Sequence, residues 1–352
     1  MSIILHAKRR SGGTSDPRSS ETRVEAMLTN SRIGPRFTRL GLVIAGAVLL
    51  AVTACSRIPG HPRTPVIEDR FSEAVVRAHL ENLARLGPRL PGSETDLDVR
   101  TYLEREFEIV GVPLAVLEQG RSRHLLGEIP GESDDRVLLV ASYAALGSNE
   151  WVDDSGAVLL LELARVLARE VPPYTVQIAL AETRPRIPVA KIDQIAVEIG
   201  PLEARQRVFD AGVSLSQALE RRGGFERLRV VVAFEPRAAV TPRMARDLRS
   251  HPVFRSLFWE VAAELGHADA FPPDAGWRSP LGLQAAFRSR GLGQVLALVD
   301  ETTARIELQA GPAPAVSADS GGPVGLEAIG QVTLEALSRL MNRFERIDAF
   351  SR

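Results

Sequence analysis

Arg136 to Glu170 reads RVLLVASYAALGSNEWVDDSGAVLLLELARVLARE, and this stretch decides the fold. Val137 to Tyr143 is a short apolar run, too brief for a helix, and reads as a buried strand. Gly147, Ser148 and Asn149 supply turn chemistry. Asp153, Asp154 and Ser155 are N-cap candidates ahead of a strongly apolar run, Ala157 to Leu167, with Arg165 and Arg169 toward its end. Strand, acidic-tipped loop and buried helix together predict an open α/β sheet with polar groups at its carboxyl edge, where ligands usually bind.

Working outward, 352 residues with 45% hydrophobic content can bury a sizeable core. A formal net charge of -1 gives no support to nucleic-acid binding. The single cysteine excludes an intrachain disulfide framework and any Cys-clustered metal site. No H-E-x-x-H, G-x-S-x-G or phosphate-binding glycine loop is present.

Residues 1–31 are polar and Arg-rich without apolar periodicity, and read as a disordered or untranslated leader. Arg32, Arg36 and Arg39 then precede an apolar run from Leu40 to Val52, which ends Val52-Thr53-Ala54-Cys55. The run is shorter than the roughly 20 residues a spanning helix needs. A basic region, such a run and small residues before a cut site describe a secretory signal. The ending resembles a bacterial lipobox, which implies lipidation at Cys55 and a protein anchored in the bacterial envelope facing the extracytoplasmic side; Met27 lies at a normal signal-peptide distance and is the expected true start. A short membrane anchor or a buried helix is the alternative. The expected organisation is therefore residues 1–54 as leader and signal peptide, 55–68 as a lipidated tether, and 69–352 as one domain.

In the domain, Glu68 to Leu86 has the apolar spacing of an amphipathic helix, and a Gly-Pro cluster at 87–92 separates it from a second helix ending near Gly111. Pro113–Glu118, Leu125–Ile129 and Val137–Tyr143 read as strands, with a turn over Pro130–Asp135. Thr175–Leu180 and Arg229–Phe234 read as further strands. Helices are expected over 187–223, His251–Leu265 and Pro323–Arg346.

Several of these segments resemble the zinc-dependent aminopeptidase and glutaminyl cyclase superfamily. They are Leu86-Gly87-Pro88-Arg89-Leu90-Pro91-Gly92-Ser93, then His124-Leu125-Leu126-Gly127-Glu128-Ile129-Pro130-Gly131, then Val152-Asp153-Asp154-Ser155-Gly156 with Leu160-Leu161-Glu162-Leu163-Ala164-Arg165. The resemblance covers about residues 69–346. It implies a mixed, mostly parallel twisted sheet with helices on both faces, in a single α/β domain. His124 stands at the family's Asn position and reads as solvent-facing.

The metal motifs do not follow. Where the family has its first metal-binding histidine this chain has Ser142, and Asp154 matches the bridging carboxylate. In the family's D-G-E-E segment this chain reads Ala181-Glu182-Thr183-Arg184, which puts Thr183 at the general base and Arg184 at a ligand. A slip of one residue would put Glu182 at the base; otherwise Glu182 reads as a strand-end carboxylate paired with Arg184 or Arg186. Glu235 falls at the next ligand, with Arg237 as an equally good ion-pair partner. The last histidine has become Val316, with Asp319 nearby. A two-zinc centre needs about five converging His and carboxylate ligands and a Glu to take the proton of bound water. Here no metal is expected; if zinc were bound, the candidate ligands are Asp154, Glu182, Glu235 and Asp319. Arg184 is expected to take the metal's place by neutralising Asp154 and Glu235. The favoured reading is a non-catalytic lipoprotein whose partners are membrane lipid through Cys55 and a peptide or envelope protein. The alternative is an active aminopeptidase or glutaminyl cyclotransferase with a rebuilt zinc site.

Overall fold

The computed structural model describes residues 71–87, 93–143, 154–184, 201–236, 242–301 and 325–350. Cys55, Val316, Asp319, Arg186 and Arg237 lie outside these residues. The elements in chain order are α1 (Glu73–Leu86), α2 (Glu94–Ile109), β1 (Ala115–Gln119), β2 (Ser122–Ile129), β3 (Ser133–Tyr143), α3 (Ser155–Leu167), β4 (Tyr174–Glu182) and α4 (Pro201–Glu220). Then come β5 (Leu228–Glu235), β6 (Met244–Asp247), α5 (Pro252–Glu264), β7 (Trp277–Arg278), α6 (Leu283–Ser289), β8 (Val295–Asp300) and α7 (Leu326–Phe350).

The sheet order is β1-β2-β4-β3-β5-β8-β6-β7. Its centre, β4-β3-β5-β8, is parallel, while β1, β2 and β4 pair antiparallel at one side and β6 runs antiparallel to β8 at the other. This is the mixed, mostly parallel α/β domain expected from the sequence. Strand side chains alternate between faces. Val137, Leu139, Ala141 and Tyr143 of β3 point into the larger core with α1, α2, α3, α5 and α7, as do Val230, Val232 and Phe234 of β5. Leu138 and Val140, with Val231 and Ala233, point the other way, into a core closed by α4 and α6. Both faces are buried, so the central strands read as continuous apolar runs rather than alternating ones.

Helix α3 is buried along almost its whole length, because it lies between the sheet and the helices around it. Gly156 allows that approach: a Cβ there would stand 3.0 Å from Ala141 Cβ and 3.2 Å from the Phe234 carbonyl oxygen. Glu162 is the charged exception and is fully buried. Arg165 forks onto it through Nε (2.6 Å) and Nη2, and the Ser72 N–H donates to its Oε1 at 2.7 Å. A carboxylate so placed is tolerated because it is paired and hydrogen-bonded, and here it ties the start of α1 to α3.

Among the boundaries that differ from expectation, two have identifiable reasons. The turn expected to run through Asp135 is shorter, because Ser133 already pairs with Tyr174 of β4 before a bulge ahead of Arg136. The last helix runs to Phe350 rather than Arg346. Its final turn is held by Asp348, which accepts from the Tyr174 hydroxyl (2.8 Å) and pairs with Arg229. Among the described residues no helix is long and apolar enough to cross a membrane.

Candidate functional site

Among the described site residues, Ser142, Glu182, Thr183 and Glu235 lie at the carboxyl ends of the parallel strands, but the pleat divides them. Tyr143 pairs with Glu182 across β3 and β4, and both belong to the face of the larger core. Ser142 pairs with Ala181, one residue earlier, and so belongs to the opposite face. Glu235 follows Val231 and Ala233 at alternate positions of β5 and shares that opposite face. Glu182 and Glu235 therefore point to different sides of the sheet and cannot close on one ion from these positions.

On the first side, Glu182 is buried and spends both oxygens. Arg184 forks onto it, Nε to Oε2 at 2.6 Å and Nη2 to Oε1 at 2.9 Å, and the Arg123 N–H donates to Oε2 at 2.6 Å. The expectation that Arg184 neutralises Asp154 and Glu235 is thus corrected: its partner is Glu182, two residues away on the same strand end. Burial pulls the Arg184 guanidinium down, and the Glu182 bond and charge, with Asp96 behind them, outweigh it, so its pKa lies above the ordinary value. Thr183 is buried, and both its N–H and its Oγ1 donate to the Tyr143 carbonyl, at 3.1 and 3.2 Å. The Tyr143 hydroxyl donates to the Arg123 carbonyl. Burial, with the Glu182 charge behind it, raises the Tyr143 phenol well above its usual range.

His124 corrects a second expectation. It is fully buried on β2, not solvent-facing. Its Nδ1 accepts from the Glu182 N–H at 3.1 Å, so Nε2 carries the proton and reaches Ser214 Oγ of α4 at 3.0 Å. Burial, and then the Arg184 charge, push its pKa down to about 4. It is a structural neutral imidazole joining two strands to a helix.

On the second side, Glu235 is paired with Arg205 of α4, and its Oε1 accepts from the Leu283 N–H at 2.9 Å. Both side chains are almost wholly buried, at 5% and 6% exposure. Arg205 stands thirty positions upstream of Glu235, and nothing in a mixed-charge helical stretch marks it as buried; the expected partner Arg237 lies outside the described residues. Gly282 packs against the pair: a Cβ there would overlap Glu235 Oε1 and stand 2.5 Å from Arg205 Nη2 and 2.9 Å from Gln284 Oε1.

Asp154 sits at the N-cap of α3, but its backbone is helical and its side chain makes no capping bond to the helix, while the other candidate Asp153 lies outside the described residues. Among the described residues no group of three or more His, Cys, Asp or Glu side chains could hold a metal ion. The described residues at the mapped ligand positions do not fit a zinc centre. Glu182 and Glu235 are each engaged by a guanidinium, on opposite faces, and Arg184 brings positive charge to a mapped ligand position.

No family model and no curated protein sequence matches the chain. Solved structures do. A glutaminyl cyclase from Porphyromonas gingivalis aligns with a TM-score of 0.60 at 16% identity, over 77% of this chain and 99% of that one. A leucine aminopeptidase precursor from Bacteroides thetaiotaomicron aligns at 0.58 and 15%, over 76% and 97%. A Zn-dependent exopeptidase from Parabacteroides distasonis aligns at 0.54 and 16%, over 76% and 98%. The chain therefore has the fold of zinc-dependent exopeptidases and glutaminyl cyclases. That fold allows activity, and function is settled by the side chains at the strand ends.

Proposed function

We propose that this chain is a lipid-anchored, non-catalytic envelope protein that keeps the aminopeptidase–cyclase fold as a peptide-binding or scaffolding domain. The observation that carries the reading is two guanidinium–carboxylate contacts, Arg184 on the buried Glu182 and the almost wholly buried Arg205–Glu235 pair, at the strand ends where the fold's relatives are expected to hold zinc. Each pair satisfies a carboxylate that would otherwise be free to take a cation. Without the ion no water is acidified near neutral pH, and Thr183, with its hydroxyl on a backbone carbonyl, is no proton acceptor. The lipobox-like ending at Cys55 supports the anchor and the extracytoplasmic location. The test is turnover of leucyl and N-terminal glutaminyl substrates by the purified full chain, with and without added zinc. The proposal expects none; turnover that a chelator abolishes would overturn it in favour of a rebuilt metalloenzyme.

A further inference from the structure

A guanidinium presents its Nε and Nη2 hydrogens side by side, the edge that matches a carboxylate bidentately. In this chain Arg165 and Arg184 both spend that edge on glutamates, Nε to one oxygen and Nη2 to the other. Arg205 does not. It meets Glu235 through Nη1, and among the described residues its Nε and Nη2 have no hydrogen-bond partner although the side chain is 6% exposed. Close by, Gln284 is buried and donates its amide to the Pro280 carbonyl at 2.6 Å, while its Oε1 accepts from no described residue. A Cβ built on Gly282 would stand 2.5 Å from Arg205 Nη2 and 2.9 Å from Gln284 Oε1, with Glu235 Oε1 nearer still, so the two unpartnered groups lie together at this glycine beside the paired carboxylate. Buried polar groups are normally satisfied, and here the unpartnered edge of a paired guanidinium lies with an unpartnered amide oxygen, two hydrogen-bonding functions that a ligand could answer together.

We propose that the Nε–Nη2 edge of Arg205 binds the terminal carboxylate of a peptide, with Gln284 Oε1 accepting the backbone N–H of the same residue. The planar fork selects a planar two-oxygen anion, and the adjoining acceptor selects one that carries an N–H close by. The C-terminal residue of a peptide has both, whereas inorganic phosphate at neutral pH has no N–H to offer. The inference rests on the non-catalytic reading above and specifies which end of a peptide the domain would hold.

The experiment uses the full chain in detergent micelles and a pool of N-acetyl dipeptides carrying each of the twenty C-terminal residues, as free acids and as C-terminal amides. Binding is screened by saturation-transfer NMR and measured by titration calorimetry. At least one free acid should bind, with its amide weaker by about tenfold or more, the usual consequence of losing a charge-assisted fork. Arg205→Lys keeps the charge for Glu235 but has no fork, and should lose about tenfold with the melting temperature little changed. Should Arg205→Lys not fold, Gln284→Leu leaves the ion pair in place and should weaken the same acid. No binding by any acid, equal binding of acid and amide, or full affinity in the folded Arg205→Lys protein would overturn the proposal. Bound zinc or turnover would defeat the non-catalytic reading instead; a metal-free, inert protein indifferent to the carboxylate defeats only this inference.

Discussion

Acid should destabilise this protein through His124, and by an amount the structure sets. The imidazole is neutral in the fold: its Nδ1 accepts from the Glu182 N–H, its Nε2 reaches Ser214, and the Arg184 guanidinium lies near enough to disfavour a second charge. Its pKa of about 4 in the folded chain stands below the 6.5 of an unfolded one. The sign follows from that order. Above pH 6.5 both states are neutral and nothing is lost; as pH falls the unfolded chain takes up the proton first, and stability drains until the folded imidazole also titrates near 4. At about 1.4 kcal/mol per pH unit the whole window is worth about 3 kcal/mol, of which about 2 kcal/mol falls between pH 7 and pH 5. His124→Asn keeps an acceptor near Nδ1 and removes the titration, so the variant should be missing that part of the acid sensitivity. Urea unfolding of both proteins at the two pH values measures it. Equal losses in wild type and His124→Asn would refute the assignment of a buried neutral histidine at this junction.

Arg205→Met should cost about 3–5 kcal/mol by stranding Glu235, and Arg205→Met with Glu235→Gln should recover most of it, since the neutral amide still accepts from Leu283; a denaturant double-mutant cycle without coupling would count against the pair. Gly282→Ala should destabilise by about 1–3 kcal/mol, because its Cβ overlaps Glu235 Oε1; a variant as stable as wild type in thermal melts would show the pair free to move aside. Cys55→Ala should abolish palmitate labelling and leave the precursor uncut, and a variant that still labels would remove the anchor from the account.

The periodic parts of this fold were legible in the sequence. Val137 to Tyr143 announces a strand buried on both faces, and Ala157 to Leu167 a helix buried all round, because burial on every side leaves an unbroken apolar run. Strands β6 and β7 were not legible, having four and two residues, too few to show a period. The site was legible only as a set of positions. Glu182 and Glu235 both end strands, and only the register of β3 with β4 and β5 shows that they face opposite ways. His124 looked like the polar start of a hairpin, yet the β2–β4 register turns it toward α4, which covers it. Arg205 gave no signal at all: one basic residue among several in a mixed-charge helix is ordinary until its helix is laid against a carboxylate.

The central claim is that guanidinium groups, not zinc, answer the carboxylates at the carboxyl edge of this sheet. The direct measurement is the zinc content of the purified full chain after incubation with excess zinc and exhaustive dialysis, read by inductively coupled plasma mass spectrometry against protein concentration. The account predicts far less than one zinc per chain, because Glu182 and Glu235 face apart and each is already paired. One or two zinc ions per chain that survive dialysis would contradict it.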